Sequence, residues 1–597
     1  MYAKAVWTLL GLCGLAAFVV VLAVPIANGD AGPSPLVNAF PIPGSQVATP
    51  WTQITFRGVP ASSFGSIQVV GSRSGAHAGT VEGDSDGDGG SFFPQVHFQA
   101  GETVTVTTSL NVVGAVNGQF QFTVATPAGG IPYLKAQTVP RVKGDVWRFR
   151  SRTDLAPAAV KILHRTAAAG NDGIFVAPQF GPVQNGPEII DPTGRLIWFD
   201  RVAPGDAASD FKVQQYRGQP VLTWWEGFSD AGVGVGNDVI FNSAYRQIAT
   251  VSAGNGLHTD LHEFDITPSG TALVTAYFPV YWNGTSVHGN ANEIVLDSVV
   301  QEIDIPTGLV LYQWDSLDHV PLSSSYQRLP TQNAKVRNPF DYFHVNSVDL
   351  DNDGNLIISG RNTWAAYKVD HGTGAVIWTL GGKRSSFKMG SGTSFAFQHD
   401  VRAQGQNDQL VTVFDDGAGP PSVHSQSRGL ELSLNLKSMT ATVAAQRQHS
   451  PALLAEFEGN VQLLPDSDDF IGWGQQPYFT DYNGRGQLVL DGRFVGTTSS
   501  YRAYEFPWSG TPAVPPAVAA TTARRTTTVY ATWNGATAVH GWRVLSGPSA
   551  TSLRATRAVT KTGFETQTTI NAARYVAVQA LDAQGRTLST SAAVRAS

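Results

Sequence analysis

The chain has 597 residues, of which 14% are charged, with 62 Gly, 34 Pro, a formal net charge of −6 and one Cys. Soluble domains are typically about a quarter charged, so this is a turn-rich, weakly charged chain, and 42% hydrophobic residues with 14 Trp exclude a disordered protein. The negative balance argues against a nucleic-acid binder that neutralises many phosphates, and a single thiol, Cys13, excludes cysteine zinc fingers, thiol redox pairs and intrachain disulfides.

In chain order, residues 5–26 are apolar and uncharged behind Lys4. That length suits a signal sequence or a retained membrane anchor over residues 1–31, with small residues for cleavage around Gly29, Asp30 and Ala31. The chain is expected outside the cell or on its surface. Residues 40–128 alternate in short runs ("QITFRG", "ETVTVTTSL", "QFQFTVA") between Gly-, Pro- and Asp-rich turns, the pattern of a β-sandwich.

From 131 to 508 a strand, a D-x-x-G-like turn and a second apolar strand recur, as in "EIIDPTGRLIWFD", "VDLDNDGNLIISGR" and "YKVDHGTGAVIWTLGG". Single hairpins cannot bury their faces, so the repeats must stack. Two hairpins per unit predict a six-bladed β-propeller with blades starting near 160, 211, 258, 344, 397 and 457. After the linker "GTPAVPPAVAA", residues 511–597 form a further β module resembling a fibronectin type III sandwich. It carries a net +7 against −13 for the rest, which suits attraction to an anionic wall polymer or lipid surface.

Three His stand where inner strands begin: His262 in "DLHEFD", His344 in "FHVNSV" and His399 in "FQHDVR". Inner strands converge on a propeller axis, so three His about 140 residues apart are expected to face one another. Asn346 follows His344 on the same strand face, and Arg361 ends the paired strand, giving a base or nucleophile, a neutral donor and a fixed cation at one rim. No G-x-S-x-G elbow, H-E-x-x-H helix or P-loop is present.

The segments "HVNSVDLDNDGNLIISGRNTWAAYKVD", "GAVIWTLGGKRSSF", "FQHDVR" and "GWGQQPYFTDYNGRG" resemble the bacterial arylsulfotransferases, over roughly Trp147 to Trp508. The resemblance implies a nucleotide-independent transfer of a sulfuryl group between phenols, in a central channel, by a ping-pong reaction through a sulfohistidine. It implies His399 as nucleophile, with His262, His344, Asn346 and Arg361 stabilising sulfate oxygens or shuttling the phenol proton. The substrates are then small phenolic sulfates and phenols, with no cofactor. Trp224, Trp225, Tyr281 and Trp282 are aromatic candidates for stacking on phenol rings or for core packing.

Two acidic runs, Asp84, Asp86 and Asp88, and Asp349, Asp351 and Asp353, have calcium-loop spacing. They lack the closing Glu, Gln95 and Gly360 standing there instead, so acidic turns are the simpler expectation. His258 and His262 lie about 13 Å apart on a strand, too far for one metal, and no metal is assigned. The competing readings are hydrolysis or lyase chemistry in the same channel, and a non-catalytic propeller that binds a surface ligand.

Overall fold

The alternating runs all become strands in the computed structural model, which describes residues 35–129, 140–181, 183–230, 232–331, 338–405 and 409–597. The apolar segment 5–26 and Cys13 lie outside the described residues, and among those described no helix is long and apolar enough to cross a membrane. Residues 36–597 form a single compact unit.

Residues 36–123 build two antiparallel-rich sheets whose inward residues, among them Val37, Ile54, Phe56, Val69, Val104, Val106, Phe120 and Phe122, share one core. The strand Thr103–Thr108 shows the cause: its valines are buried while the threonines between them are half exposed, a period of two with one dry face. Buried Glu102 opens this strand and accepts the N–H groups of Arg73 and Ser74 at 2.9 Å each and that of Gln99 at 2.6 Å. Burial opposes its ionisation, but these donors and the Ser74 hydroxyl outweigh it and hold the carboxyl at about 2 against an ordinary 4.5. A lowered folded value means that its stabilisation is complete above the unfolded value and is lost as pH falls from about 4.5 toward 2. Glu102→Gln is expected to cost about 1–3 kcal/mol at pH 7 and to flatten acid unfolding in that window, as monitored by intrinsic fluorescence.

The acidic turn at Asp84 holds a guanidinium. Arg57 reaches Asp84 at 2.6 Å, Asp86 at 2.6 Å and Asp88 at 3.9 Å, so an arginine supplies the positive charge that the spacing suggests for calcium. The same turn docks the sheets onto the central region, Ser85 donating its N–H and hydroxyl to Asp304 at 2.8 and 2.6 Å. The second acidic turn behaves alike: Lys368 pairs with Asp351 at 2.7 Å and Asp353 at 2.6 Å, and Gly354 takes the left-handed φ of 82° that closes the hairpin.

Six sheets of four or five strands follow among the described residues. Their inner strands are β1 (Ala207–Tyr216), β2 (Phe264–Ile266), β3 (Val345–Leu350), β4 (His399–Gln404), β5 (Asn460–Leu463) and β6 (Ser499–Phe506). Contacts join β1 to β2, β3 to β4, β4 to β5, β5 to β6 and β6 back to β1, while the strand Ala272–Trp282 bridges the β2 sheet to β3. The arrangement is propeller-like, with every inner strand starting at one end of a common axis.

Closure differs from the expectation that a unit begins near residue 160. The strand Val160–Arg165 pairs with Leu488–Phe494 at the outer edge of the β5 sheet, and the strand Gly173–Gln179 pairs with β6. The chain's early strands complete sheets begun by its late ones, which ties the ring shut with no covalent link. A hairpin pattern reports neighbours in sequence and is blind to this pairing across more than 300 residues.

Residues 517–595 form two facing sheets around Trp542, Val529, Val544, Val576 and Val578. They dock through Asn534, which accepts the Phe199 N–H at 3.0 Å and donates to its carbonyl at 2.8 Å, and through the Tyr245 hydroxyl on the Gly535 carbonyl at 2.8 Å. Arg524, Arg525, Arg554, Arg557, Arg574, Arg586 and Arg595 are exposed, while one of the module's two acids, Glu565, accepts from Ser151. The basic excess therefore faces solvent.

Candidate active site

The starts of β2, β3 and β4 bring His262, His344 and His399 together. The rings of His262 and His344 meet edge to face at 4.9 Å, and Tyr501 on β6 lies 5.5 Å from His262 and 6.3 Å from His399. Tyr277 packs against both His262 and His344, at 5.9 and 5.7 Å. The cluster is dry, with His262, His344 and His399 respectively 2%, 7% and 1% exposed.

Each imidazole is held at Nδ1 by a carboxylate: His262 by Asp260, His344 by Asp341 at 2.5 Å and His399 by Asp416 at 2.9 Å. Such an anchor fixes the tautomer and leaves Nε2 as the basic nitrogen. In His399, Nε2 accepts the backbone N–H of Glu458 at 3.2 Å, so Nδ1 must carry the proton and donate to Asp416. Burial, and after it the charge of Arg361, hold His399 well below the usual imidazole range; burial likewise lowers His262 against the pull of Asp260. Both are neutral at pH 7. Among the described residues no hydrogen bond reaches Nε2 of His262 or His344.

Arg361 is tied to this cluster by its own N–H on the His344 carbonyl at 3.0 Å. Its guanidinium lies over the Phe397 ring at 4.8 Å and donates to the Asn362 side chain at 3.0 Å and the Glu456 carbonyl at 2.7 Å. Among the described residues no carboxylate lies within ion-pair distance of it. A half-buried cation that bonds only neutral acceptors among the described residues, beside three imidazoles, is arranged to receive an anion.

Asn346 is the second residue of β3 and His344 stands just before the strand. His344 has a left-handed φ of 57° and the register shifts between Val345 and Ser347, so the two-residue rule does not carry across this point. The Asn346 amide donates to the Gln398 carbonyl at 2.7 Å, bracing β3 against β4, and its Oδ1 is buried without a partner among the described residues. Left-handed φ values also occur at Phe397 (56°), Asp400 (50°) and Glu458 (71°). Such strain outside glycine gathers where surrounding packing over-determines a functional site.

Trp224 and Trp225 are both 1% exposed and belong to the core. Trp225 donates to the Thr259 carbonyl at 3.0 Å, and Trp224 packs on Phe241 at 4.4 Å. Tyr277 and Tyr501, not these tryptophans, line the histidines. His258 is exposed whereas His262 is buried, and Asp349 lies at the opposite end of the axis.

Below the histidines the axis is filled by charge. Glu263 meets Lys212 at 2.9 Å, Arg402 at 2.5 Å and Arg502 at 3.2 Å; Arg502 also pairs with Asp210 at 2.8 Å, and Arg402 with Asp400 at 2.8 Å. Burial pushes the Glu263 carboxyl up, but the three cations together hold it well below the usual carboxylate range. Beyond this plug, the far ends of the inner strands surround a cavity of about 830 Å³ lined by Gln214, Ile266, Asp349, Gln404, Leu463 and Phe506. This cavity does not contain the histidines.

The fold and site thus define an all-β, propeller-like protein with a buried His/Arg cluster fit for an anionic group. Residues 212–495 match the family model described as arylsulfotransferase (ASST). No curated protein matches the chain. Similar solved structures include a protein of unknown function from Bacteroides caccae, at 12% identity over 56% of this chain and 99% of that one, with a TM-score of 0.35. Another is a catalytically inactive virginiamycin B lyase from Staphylococcus aureus with quinupristin, at 10% identity over 62% and 94%, with a TM-score of 0.29.

Proposed function

We propose that this chain is an exported aryl-sulfate sulfotransferase, moving a sulfuryl group from a phenolic sulfate ester to an acceptor phenol in the axis of a six-bladed propeller. The observation that carries this reading is Arg361, a half-buried cation with no carboxylate partner among the described residues, set among three imidazoles anchored by Asp side chains.

In the first half-reaction, Nε2 of neutral His399 attacks sulfur, the N–S bond forms, and the S–O bond to the aryl group breaks. In the second, an acceptor phenol oxygen takes the sulfuryl group and the electron pair returns to Nε2. Sulfuryl transfer, like phosphoryl transfer, passes through a loose state with charge spread over oxygens, so placed charge and donors dominate the rate. Arg361 supplies that charge. The Glu458 N–H, which occupies Nε2 at rest, is placed to move onto a sulfuryl oxygen once Nε2 is substituted. Phenols make the exchange nearly isoenergetic, and no activated nucleotide is needed. Export is carried by residues 5–26, and the exposed arginines of the terminal module suit an anionic wall or membrane surface.

The assay is 4-nitrophenyl sulfate with and without phenol. Acceptor-stimulated release of nitrophenol is expected; acceptor-independent release would mark hydrolysis, and none would mark a binding protein. Asp416→Asn is expected to lower kcat about 100-fold with KM little changed, because an amide lets the ring adopt the wrong tautomer; steady-state kinetics read this directly.

A further inference from the structure

We propose that Glu458 is a further catalytic residue of this site, the acid that protonates the departing phenol oxygen and the base that later deprotonates the acceptor phenol. The proposal rests on the sulfotransferase reading and adds the group that carries its proton.

The backbone N–H of Glu458 touches His399 Nε2 at 3.2 Å, and a left-handed φ of 71° turns the residue at this point. One carboxyl oxygen accepts from Gln179 Nε2 at 2.7 Å. The other, Oε2, is buried without a partner among the described residues, and the carboxyl is close enough to press on the ionisation of Asp416. A buried polar atom left unpaired is costly and calls for a functional account. Burial raises this carboxyl to about 8, so it holds a proton near neutrality. The charged and titratable groups around it are His399, Asp416 and, across the cluster, Arg361.

Asp416 is also pushed up by burial and has a buried Oδ1 without a partner among the described residues, but its Oδ2 is occupied by His399 Nδ1, which makes it the anchor of that ring. His262, which burial holds below the usual imidazole range, spends Nδ1–H on Asp260 and keeps only a lone pair at Nε2. The hydroxyls of Tyr277 and Tyr501 donate to the Val345 and Asn346 carbonyls at 2.6 and 3.2 Å. Of Tyr277, Tyr501 and Glu458, only Glu458 combines a proton with an unpaired oxygen. When the N–S bond forms and the aryl S–O bond breaks, the electron pair goes to the aryl oxygen, which takes the Oε2 proton and leaves Glu458 as carboxylate. When the acceptor attacks, its phenolic proton passes to Oε2, the new O–S bond forms, the N–S bond breaks, and the starting state is restored.

The test is Glu458→Gln assayed with aryl sulfates of graded leaving ability, from 4-nitrophenyl to 4-methylphenyl sulfate. General acid catalysis is worth about 100-fold or more when the leaving group is poor. In the first half-reaction alone, read as the rate of phenol release with donor and no acceptor, the variant should therefore lose far less with 4-nitrophenyl sulfate than with 4-methylphenyl sulfate, where a loss of about 100-fold is expected. In the wild type, the rate with the poor donor should fall as pH rises through about 8, and the variant should lack this limb. In that half-reaction, an equal loss with every donor, an unchanged leaving-group dependence, or a wild-type profile flat across that pH range would overturn the proposal. A wild type inactive with every donor would instead overturn the sulfotransferase reading on which it rests.

Discussion

His399→Ala is expected to lower sulfuryl transfer from 4-nitrophenyl sulfate to phenol by about 10⁴-fold or more, with KM for the donor changed little. The nucleophile is what splits the exchange into two steps, and groups acting as one unit lose nearly all their effect when it is removed. Donor affinity should persist because Arg361, the group proposed to provide the charge for a sulfate, makes its bonds to Asn362 and Glu456. The variant leaves Asp416 buried without its imidazole partner, at a cost of about 1–3 kcal/mol, which a ring of six sheets tied by long-range pairing should tolerate. Thermal unfolding separates that loss from the chemical one. Activity within tenfold of wild type would place the nucleophile at His262 or His344, whose Nε2 atoms stand free of hydrogen bonds among the described residues.

The second large effect is on stability. Arg502→Met should destabilise the central region by about 3–5 kcal/mol, because it breaks a buried network by removing one charge from it. Arg502 has no side-chain exposure and joins Asp210, Glu263 and, at 3.6 Å, Asp400. It also donates to the Asn346 carbonyl at 2.9 Å and lies over the Tyr501 ring at 5.0 Å. Without it, three carboxylates share Lys212 and Arg402 in a dry axis. A lower midpoint in urea or heat is expected, together with reduced activity as Tyr501 and Asn346 lose their brace. An unchanged midpoint would show that the plug is not structural.

Much of this was legible in the residues. The alternation of Thr103–Thr108 and the repeated D-x-x-G turns announce strands and hairpins, because side-chain period and turn chemistry are local. The placement of His262, His344 and His399 at inner-strand starts follows from the same local pattern combined with a single symmetry argument. Ring closure was not legible, since Gly173–Gln179 finds its partner in Ser499–Phe506 only after the whole chain has turned. The carboxylate anchors were half visible: "TDLHEF" and "DYFH" place Asp260 and Asp341 two and three residues before their histidines, whereas Asp416 reaches His399 from the neighbouring strand. Glu458, Tyr501 and Arg502 carry no motif; they enter the site because β5 and β6 begin at the same end of the axis as β2 to β4. The acidic run at Asp84 was ambiguous until Arg57, from another strand, came to lie among its carboxylates.

Covalent exchange through His399, as proposed, is read from the mass of the protein after incubation with donor alone. Mixing with 4-nitrophenyl sulfate, quenching at alkaline pH where an N-sulfo bond survives, and mapping peptides should reveal one added sulfuryl group on the peptide that contains His399. That adduct should vanish on adding phenol and be absent from His399→Ala. Nitrophenol released in steady turnover with no adduct on any peptide, or an adduct confined to the peptides of His262 or His344, would contradict the account.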